Sequence, residues 1–394
     1  MCEKPMHVEV LDSILEKLDF LSDVFTSKGA LKDCLLLIFG VCLSPTKTVA
    51  GMGGWFENVN QSTLNRFLTQ YNWKITKLFN ACHKEIKEKI IGKTVRLIID
   101  DSKIQKTGDK IEKAGWEFDH VRKCNILCFS IVFAIVMIEG IELPLPFAAE
   151  ACKKRKKGQK RKKSKITIAM KMIAEFVKVT EKAAKRIILF DSWYSAAKLI
   201  NSMPKGIFWV TRLKFKNDRV VEFNGSWLNI WKFRRSVNSW NFRKIEVNGR
   251  YFWAYAEKLR IQGLDNEVTV VISKLSRHSK ESIILISNLN EAKEILEEYD
   301  GRWKIETFFR TAKQNLGIGD VQMRKYLGNR RYWSMVLLAY SLISHLQQLW
   351  KKSCRTAGEV LDKLRKLLQN AAANYGMSLG RFTHAYVCEN IAKL

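Results

Sequence analysis

The sequence predicts an α/β fold that is interrupted by a β-rich insertion and has helical regions at both ends. Three observations predict this fold. Apolar residues recur at helical spacing before residue 90 and again after residue 289. Between these regions, short β-branched strands that end in acidic residues alternate with a helix, which is the order of an α/β domain. Residues 206–288 consist mainly of strand and turn patterns.

Residues 1–90 are predicted to be helical. Apolar side chains recur at Leu11, Ile14, Leu15 and Leu18, and a second helical stretch follows a predicted cap at Ser62. A glycine-rich turn is predicted between the two stretches. The glycines do not follow a strand or precede a Gly-Lys-Ser/Thr sequence, so a phosphate-cradling loop is not expected. We interpret residues 1–90 as a helical DNA-binding region.

Residues 91–205 are predicted to form the first part of the α/β core. The stretch TVRLIIDD reads as a short strand that ends in two adjacent carboxylates, Asp100 and Asp101. Strands continue through CNILCFSIVFAIVMI, and a helix is expected over residues 166–180. A second short strand, RIILF, then ends immediately before Asp191. The core therefore presents acidic residues at the ends of two strands.

The remaining residues divide into three predicted regions. Residues 206–288 form the β-rich insertion, with strands separated by Asn-Gly and other turn sequences. Residues 289–350 are assigned to a helix bearing Glu306 and to the end of the core. Residues 351–394 are assigned to a helical C-terminal region.

Charge indicates the class of partner. The chain has 68 basic and 39 acidic residues, a net charge of +29, and a pI of about 9.8. Such an excess favours a polyanionic partner over a merely soluble basic protein. The segment Lys153 to Lys165 carries ten basic residues among thirteen and has no interleaved apolar residues. It is interpreted either as a phosphate-contacting loop or as a solvated basic linker.

Several classes of protein are not expected. The longest nearly uncharged apolar run, Asn125 to Ile138, is shorter than the roughly 18 to 20 residues that a membrane span needs. The first 20 residues include five acidic ones and no apolar core, unlike a secretory signal. Nine cysteines without a C-x-x-C pair indicate reduced thiols, and no structural zinc is expected. We therefore expect a cytoplasmic protein.

Two strand-end carboxylates could converge, because neighbouring parallel strands bring their carboxyl ends to one edge of a sheet. Either residue could equally be a turn former or a helix cap. A third element is the stretch YDGRWKIETFFRTAK, which places Tyr299, Arg302, Glu306 and Lys313 at offsets of 0, 3, 7 and 14. On one continuous helix these four side chains would lie within an arc of roughly 60°.

The other side of this predicted helix is apolar and should pack on a sheet. It consists of Ile305, Phe308, Phe309, Ala312 and Leu316. An ordinary amphipathic helix with a solvated polar face and one i,i+4 ion pair, worth a few tenths of a kcal/mol, is the simpler interpretation. That interpretation leaves the aromatic residues Tyr299 and Trp303 on or beside the polar face unexplained.

The sequence resembles the DDE transposases of bacterial insertion sequences, in the branch marked by a Tyr-(2)-Arg-(3)-Glu-(6)-Lys signature. Tyr299, Arg302, Glu306 and Lys313 match that signature without gaps. The resemblance covers about residues 90–350, where LIIDDSK and LFDSWYS look like the two aspartate strands of the family. It implies a ribonuclease-H-like catalytic core.

The resemblance implies that Asp100, Asp191 and Glu306 are the catalytic and metal-binding residues. Asp101 is the alternative to Asp100, and Ser102 stands where threonine is commoner in the family. Three carboxylates at one sheet edge repel one another unless divalent cations neutralise them. Two Mg²⁺ ions about 3.5 to 4 Å apart, with Mn²⁺ able to substitute, would activate a water and stabilise the leaving 3′ oxygen.

The resemblance also implies DNA contacts. Tyr299, Arg302 and Lys313 would hold the DNA backbone, and Trp303 would either stack on a displaced base or belong to the core. Beyond the glutamate helix, Arg324, Arg330 and Arg331 are candidates for further DNA contacts, with ordinary surface charge as the simpler interpretation.

The predicted function is Mg²⁺-dependent cut-and-paste transposition, in which the transposon ends are cleaved and the freed 3′ hydroxyl carries out strand transfer. The predicted partners are the terminal repeats and the target duplex, bound by a homodimer, without a membrane or a small-molecule substrate. A prokaryotic cytoplasmic, nucleoid-associated location follows. The alternatives are a related nuclease that does not integrate DNA and a non-catalytic, transposase-derived DNA-binding protein. A pure binder would gain nothing from a cluster of repelling carboxylates.

Overall fold

Helices and strands follow one another along the chain in the order of an α/β protein with helical ends. The computed structural model describes residues 5–57, 59–108, 110–119, 122–152, 164–214 and 219–391. The helices of these residues are α1 (Met6–Leu18), α2 (Leu21–Val24), α3 (Lys28–Leu43), α4 (Val49–Trp55), α5 (Gln61–Thr69), α6 (Ile75–Lys89), α7 (Lys165–Val179), α8 (Ala197–Ile200), α9 (Ile230–Ser236), α10 (Ala292–Gly301), α11 (Lys304–Gln314), α12 (Tyr326–Leu349), α13 (Ala357–Asn374) and α14 (Leu379–Asn390). The strands are β1 (Thr94–Gln105), β2 (Gly115–Asp119), β3 (Cys124–Ile138), β4 (Leu145–Ala151), β5 (Lys185–Phe190), β6 (Phe208–Arg212), β7 (Val220–Phe223), β8 (Ser226–Asn229), β9 (Arg243–Val247), β10 (Arg250–Leu259), β11 (Val268–Lys274) and β12 (Ile283–Ser287).

The first of two compact units consists of Met1–Lys89, Asp101–Lys163 and Thr307–Leu394. Helix α12 lies at its centre: residues 331–340 are all buried, and the helix packs against α3, α5, α13 and β4. Residues 34–43 of α3 are buried on every side, which is typical of a core helix. In this unit β3 pairs in antiparallel fashion with β2 and with β4, and it is also hydrogen-bonded to β1.

The second unit consists of Ile90–Asp100 and Ser164–Glu306. Its strands are ordered β1-β5-β6-β12-β11-β10-β9. The pairs β1–β5 and β5–β6 are parallel, whereas all pairs from β6–β12 to β10–β9 are antiparallel. The strands of the insertion therefore extend the sheet of the core. Helix α10 packs against β6, β9 and β10.

The α/β class and the helical ends are confirmed, and the sheet is mixed. Residues 206–288 form strands β6 to β12, as their strand and turn patterns predict, although the helix α9 was not predicted. Asn-Gly turns occur where the sequence places them, since Asn224, Gly225, Asn248 and Gly249 all have positive φ, as a tight hairpin turn requires. The functional domain boundaries drawn from the sequence remain a prediction that these two units do not test.

The glycine-rich segment differs from its prediction as a turn. Residues 49–55 form the short helix α4, capped by the Thr48 side chain, which accepts a 3.0 Å hydrogen bond from the Gly51 amide. A Cβ atom at Gly53 would lie only 3.1 Å from the Val59 carbonyl oxygen, so the glycine permits close packing. The cap predicted at Ser62 is also wrong, because α5 begins at Gln61 and Asn60 caps it.

Two further observations concern expectations about membranes and cysteines. No helix in the described part of the chain has the length and apolar character needed to cross a membrane. The cysteines that lie within the described ranges are all free thiols.

Candidate active site

Asp100 and Asp191 lie at matching ends of two neighbouring parallel strands. In the register of β1 and β5, Ile99 lies opposite Phe190, and the next residue on each strand is an aspartate. Residues 97–99 of β1 and 187–190 of β5, which precede the two aspartates, are buried. The side chain of Asp191 accepts a hydrogen bond from the Ser192 amide and caps a short 3₁₀ turn. Asp191 therefore both caps the 3₁₀ turn and lies at the strand end next to that of Asp100.

Ion pairs hold helix α10 against the strands that carry these aspartates. Glu298 accepts two hydrogen bonds from Arg96, at 2.5 Å from Nε and 2.7 Å from Nη2. Arg96 lies on β1 four residues before Asp100, so both side chains are on the same face of the strand. Lys185 of β5 pairs with Glu294 one turn earlier in α10. The end of α10 is therefore fixed beside Asp100.

The signature residues do not lie on one continuous helix, so that prediction is wrong. Helix α10 ends at Gly301 and α11 begins at Lys304. Across the break the amides of Ile305 and Glu306 bond to carbonyls three residues back, at 3.2 and 3.1 Å, as in a tightened 3₁₀ turn. As predicted for the apolar face, Ile305, Phe308, Phe309, Ala312 and Leu316 are all buried.

Arg302, at the break, contacts two of the predicted catalytic carboxylates. Its Nη1 lies 3.2 Å from Asp100 Oδ2 and 3.5 Å from Glu306 Oε1, and its side chain is 14% exposed. Burial alone would lower the pKa of Arg302, but Tyr299, Asp100, Asp191 and Glu306 outweigh burial and raise it. The guanidinium is therefore permanently charged.

Tyr299 supplies a neutral hydroxyl group to the same cluster. Its ring centroid lies 5.6 Å from the Arg302 guanidinium carbon. Burial raises the pKa of the Tyr299 hydroxyl, and the nearby charge of Asp191 raises it further, although Arg302 and Arg212 oppose this shift. The hydroxyl thus stays protonated at neutral pH and can donate a hydrogen bond.

The donor chemistry of the cluster fits Mg²⁺, which prefers carboxylate oxygens. Asp100, Asp191 and Glu306 supply such oxygens. Within the described ranges, however, no group of three or more His, Cys, Asp or Glu side chains is close enough to hold an ion as arranged here. Arg302 provides the positive charge between Asp100 and Glu306, so a cation would have to displace its guanidinium.

Comparison with known families decides the class of the protein. Residues 21–225, just over half of the chain, match the family described as DDE superfamily endonuclease. Residues 158–342 match the transposase DDE domain. The chain belongs to the DDE superfamily of transposases and endonucleases. The first match includes Asp100 and Asp191, and the second includes Asp191 and Glu306.

Solved structures resemble this DDE protein only distantly. The cryo-EM synaptic complex of piggyBac transposase with hairpin DNA is 10% identical, with a TM-score of 0.49, and the likeness covers 93% of this chain and 76% of that chain. The crystal structure of the NurA nuclease from Sulfolobus solfataricus is 11% identical, with a TM-score of 0.26, and covers 58% of this chain and 82% of that chain. Neither likeness bears on function at these scores. Among curated proteins, none matches the sequence.

The other predicted site residues of the DDE protein lie in different surroundings. Trp303 is 59% exposed, so its interpretation as a core residue is wrong. Lys313 belongs to the first unit, where it lines a cavity of about 570 Å³ together with Asp101, Asp119 and Arg122. Asp101 follows Asp100 on the strand, and consecutive strand residues face opposite sides. The basic segment Lys153–Lys165 falls largely outside the described residues.

The three arginines after the glutamate helix also differ from one another. Arg324 is exposed. Arg330 is half-buried and lies 3.4 Å from Glu150. Arg331 is only 3% exposed and bonds to backbone carbonyls, so it cannot contact DNA.

The pair Arg96–Glu298 was missed by sequence reasoning. A single arginine on a strand and a single glutamate on a helix carry no spacing signal, because their pairing depends on where α10 lies on the sheet. The only available hint was Glu298 itself, an acidic residue directly before the signature tyrosine.

Proposed function

We propose that this DDE protein is a DNA transposase that carries out Mg²⁺-dependent cut-and-paste transposition of an insertion sequence. It would cleave at the transposon ends and then transfer the strand by the freed 3′ hydroxyl. The observation that carries the proposal is the placement of Arg302 between Asp100 and Glu306, beside the strand end that bears Asp191. Membership of the DDE superfamily supports it.

Asp100, Asp191 and Glu306 are proposed to hold the metal. When bound, Mg²⁺ would activate a water and stabilise the leaving 3′ oxygen. Asp100 is preferred to Asp101 because its side chain shares Arg302 with Glu306. Mn²⁺ would satisfy the same oxygen donors.

The signature residues are proposed to hold the DNA. A guanidinium group binds phosphate and carboxylate through the same fork of N–H donors, so Arg302 can contact carboxylates in the free protein and a phosphate in the complex. The protonated Tyr299 hydroxyl would donate to a phosphate oxygen. The exposed Trp303 indole would stack on an unpaired base. Lys313 would bind the backbone as a point charge.

The decisive experiment compares wild type, Glu306→Gln and the matched control Glu297→Gln in Mg²⁺-dependent cleavage of duplexes that carry the DNA flanking the gene. Glu297 lies on α10 and forms an i,i+4 ion pair with Lys293 at 3.8 Å. Wild type and the control should cut, whereas Glu306→Gln should bind the duplex without cutting. The expected loss of rate is at least about a hundredfold, because a metal-bound carboxylate would be removed.

The other outcomes distinguish the alternatives. Equal cutting by wild type and Glu306→Gln would show that the proposed carboxylate triad is wrong. Tight binding without cutting by any variant would favour the transposase-derived DNA-binding protein. Cutting without strand transfer would favour a nuclease that does not integrate DNA. The proposed homodimer on DNA is tested by the mass of the protein in solution with and without the duplex.

A further inference from the structure

Helix α5 presents two unused amide side chains to solvent. Leu64, Phe67 and Leu68 are fully buried on one side of the helix. On the other side, Gln61 and Asn65 are exposed. They are four residues apart, so they lie one above the other on the same face. Within the described ranges, neither side-chain amide hydrogen-bonds to another protein group, and so both retain donors and acceptors for a ligand.

These amides line a cavity of about 520 Å³ in the first unit. Thr69 and Gln70, at the end of α5, continue the same wall. The facing wall is the segment Asp320–Lys325, in which two cations, Arg324 and Lys325, and one carboxylate, Asp320, are exposed. We call this cavity the amide groove. Nine of its thirteen lining residues are polar or charged, whereas small-molecule sites are lined predominantly by apolar residues.

The wall formed by α5 is held rigidly. Arg331 of α12 donates to the carbonyl oxygens of Phe67 at 3.4 Å, Leu68 at 3.3 Å and Tyr71 at 2.7 Å. Its guanidinium also lies 4.4 Å from the Trp73 ring. The last turn of α5 is therefore fixed to α12, and the positions of Asn65 and Gln70 are fixed with it.

The facing wall is held by bonds to its own backbone. The buried Lys106 donates to the Val321 carbonyl, and Asn329 donates to the carbonyls of Met323 at 2.7 Å and Lys325 at 3.1 Å. The Glu112 amide donates to the Arg324 carbonyl at 2.8 Å. The side chains of Arg324 and Lys325 are left to extend into solvent from a fixed backbone.

We propose that the amide groove is the site at which this protein reads the sequence of duplex DNA. Gln61 and Asn65 would contact base edges in the major groove, and Arg324 and Lys325 would bind the adjacent phosphates. Asparagine and glutamine amides form paired hydrogen bonds with the N6 and N7 atoms of adenine, so an adenine is the base they fit best. Phosphate contacts fix the position of the protein and base contacts give specificity.

This inference rests on the proposed function, because it names residues that would select the DNA on which the proposed carboxylate site acts. The amides and the cations of the amide groove would have separable effects on the binding of duplex DNA. Amide contacts depend on sequence and hardly on salt, whereas cation contacts depend on salt and hardly on sequence.

The test measures the affinity of the full chain for two sets of fluorescent duplexes over a range of salt concentrations. One set of duplexes tiles the DNA that flanks the gene, and the other has the same composition in scrambled order. The double variant Gln61→Ala/Asn65→Ala should lose about tenfold or more of the preference for the flanking sequence while its salt slope stays unchanged. The variant Arg324→Ala/Lys325→Ala should weaken both duplexes equally and reduce the slope by about 2.

Two matched controls lie outside the groove. Ser62→Ala changes an exposed residue on the same helix, and Lys366→Ala removes an exposed lysine from α13. Ser62→Ala should leave the sequence preference as in wild type, and Lys366→Ala should leave the salt slope unchanged. Because every substituted side chain is exposed, thermal unfolding of the variants should match that of wild type, which separates a binding defect from misfolding.

A second measurement addresses base contact directly. Replacing adenines of the preferred duplex by 7-deazaadenine removes the N7 acceptor. This should weaken wild type but leave Gln61→Ala/Asn65→Ala unaffected. An amide variant that keeps the full sequence preference overturns the inference, as does a wild type that binds both duplexes equally. Retained DNA cleavage in either case leaves the proposed function standing, whereas absence of any DNA binding by wild type removes the proposed function itself.

Discussion

The cluster around Arg302 in the second unit and the junction around Arg331 in the first unit each hold a largely buried guanidinium, with partners of different kinds. Arg302 contacts the carboxylates of Asp100 and Glu306. Arg331 contacts backbone carbonyls of residues 67–73. The neighbours of Arg302 raise its pKa, whereas burial lowers the pKa of Arg331.

Because of this difference, the guanidinium of Arg302 can be replaced by another cation, whereas that of Arg331 cannot. The carboxylates around Arg302 keep their negative charge when the guanidinium leaves, so another cation can take its place. The carbonyls around Arg331 are neutral, and they would be left buried without donors. The arrangement around Arg302 is typical of a site that binds ligands, and the arrangement around Arg331 is typical of a structural contact between helices.

The largest effect should come from Arg331→Met. The substitution removes the donor for several carbonyls at once, so the free energy of unfolding should fall by about 3 kcal/mol. Chemical denaturation measures this. The neighbouring variant Arg330→Met loses a partly exposed pair with Glu150 at 3.4 Å and a contact with the Tyr326 ring at 5.7 Å, and it should lose about 1 kcal/mol or less. Equal losses would remove the distinction between the two regions.

A smaller effect is expected for Arg302→Met, and it should depend on metal. Without Mg²⁺, Asp100 and Glu306 lose their shared counter-ion, so the free energy of unfolding should fall by about 2 kcal/mol. Added Mg²⁺ should restore most of this loss and should act at lower concentration than in wild type. Thermal unfolding over a Mg²⁺ titration measures both. A loss that Mg²⁺ does not change would show that Arg302 is structural, like Arg331.

Lys106 extends the comparison to pH, because it is a second cation held by carbonyls. Burial lowers its pKa to about 8. The unfolded chain, with a lysine pKa near 10.5, therefore holds more protons between pH 8 and 10.5, and stability should rise with pH in that window. Lys47, whose pKa burial also lowers to about 8, adds to the rise.

Lys106→Met should flatten this rise by about 2 kcal/mol between pH 8 and 10, while the exposed Lys110→Met should not. Denaturation at several pH values measures it. Below pH 8 the folded and unfolded states of wild type bind equal numbers of protons at these lysines, so the free energy of unfolding should not change with pH on their account. A slope that survives in Lys106→Met at full size would mean that other groups cause it.

The smallest effect should come from Asp300→Asn. Asp300 accepts hydrogen bonds from Asn248 at 2.9 Å and Arg250 at 2.8 Å, which join α10 to the β9–β10 hairpin. Because both charges of the pair with Arg250 are exposed, only a few tenths of a kcal/mol should be lost. A drop as large as that of Arg331→Met would show that exposed charge pairs hold this unit together. Asp265→Asn, at an exposed loop position, is the control.

Much of the fold was predictable because the signals are local. The strands of the insertion consist of β-branched and aromatic residues between Asn-Gly turns, so both the strands and the hairpin bends could be read from the sequence. The glycines of α4 misled the prediction, since each costs a helix about 1 kcal/mol and only tertiary packing offsets that cost.

The carboxylate site was predictable in part. The acidic strand ends and the signature spacing predicted Asp100, Asp191, Glu306 and Arg302 as site residues, and the structure places Arg302 against Asp100 and Glu306. The break after Gly301 was not predictable, because the helical spacing of the apolar and polar residues continues unchanged across the two residues between α10 and α11. Arg331 reads as surface charge and Asn65 reads as part of a solvated helix face, because burial and cavities arise only when distant segments pack together.

The double hydrogen bond between Arg96 and Glu298 has a consequence for the spread of the element. It fixes α10 to β1 without using any of the proposed catalytic carboxylates. Under the proposed function, a gene copy that loses Glu306 would still encode a protein in which α10 is fixed to β1, and Glu306 is not among the residues of the amide groove. Such a copy would occupy the same DNA ends as its active siblings without cutting them. Decaying copies would then restrain the active ones, and transposition would slow as the number of copies in a genome grows.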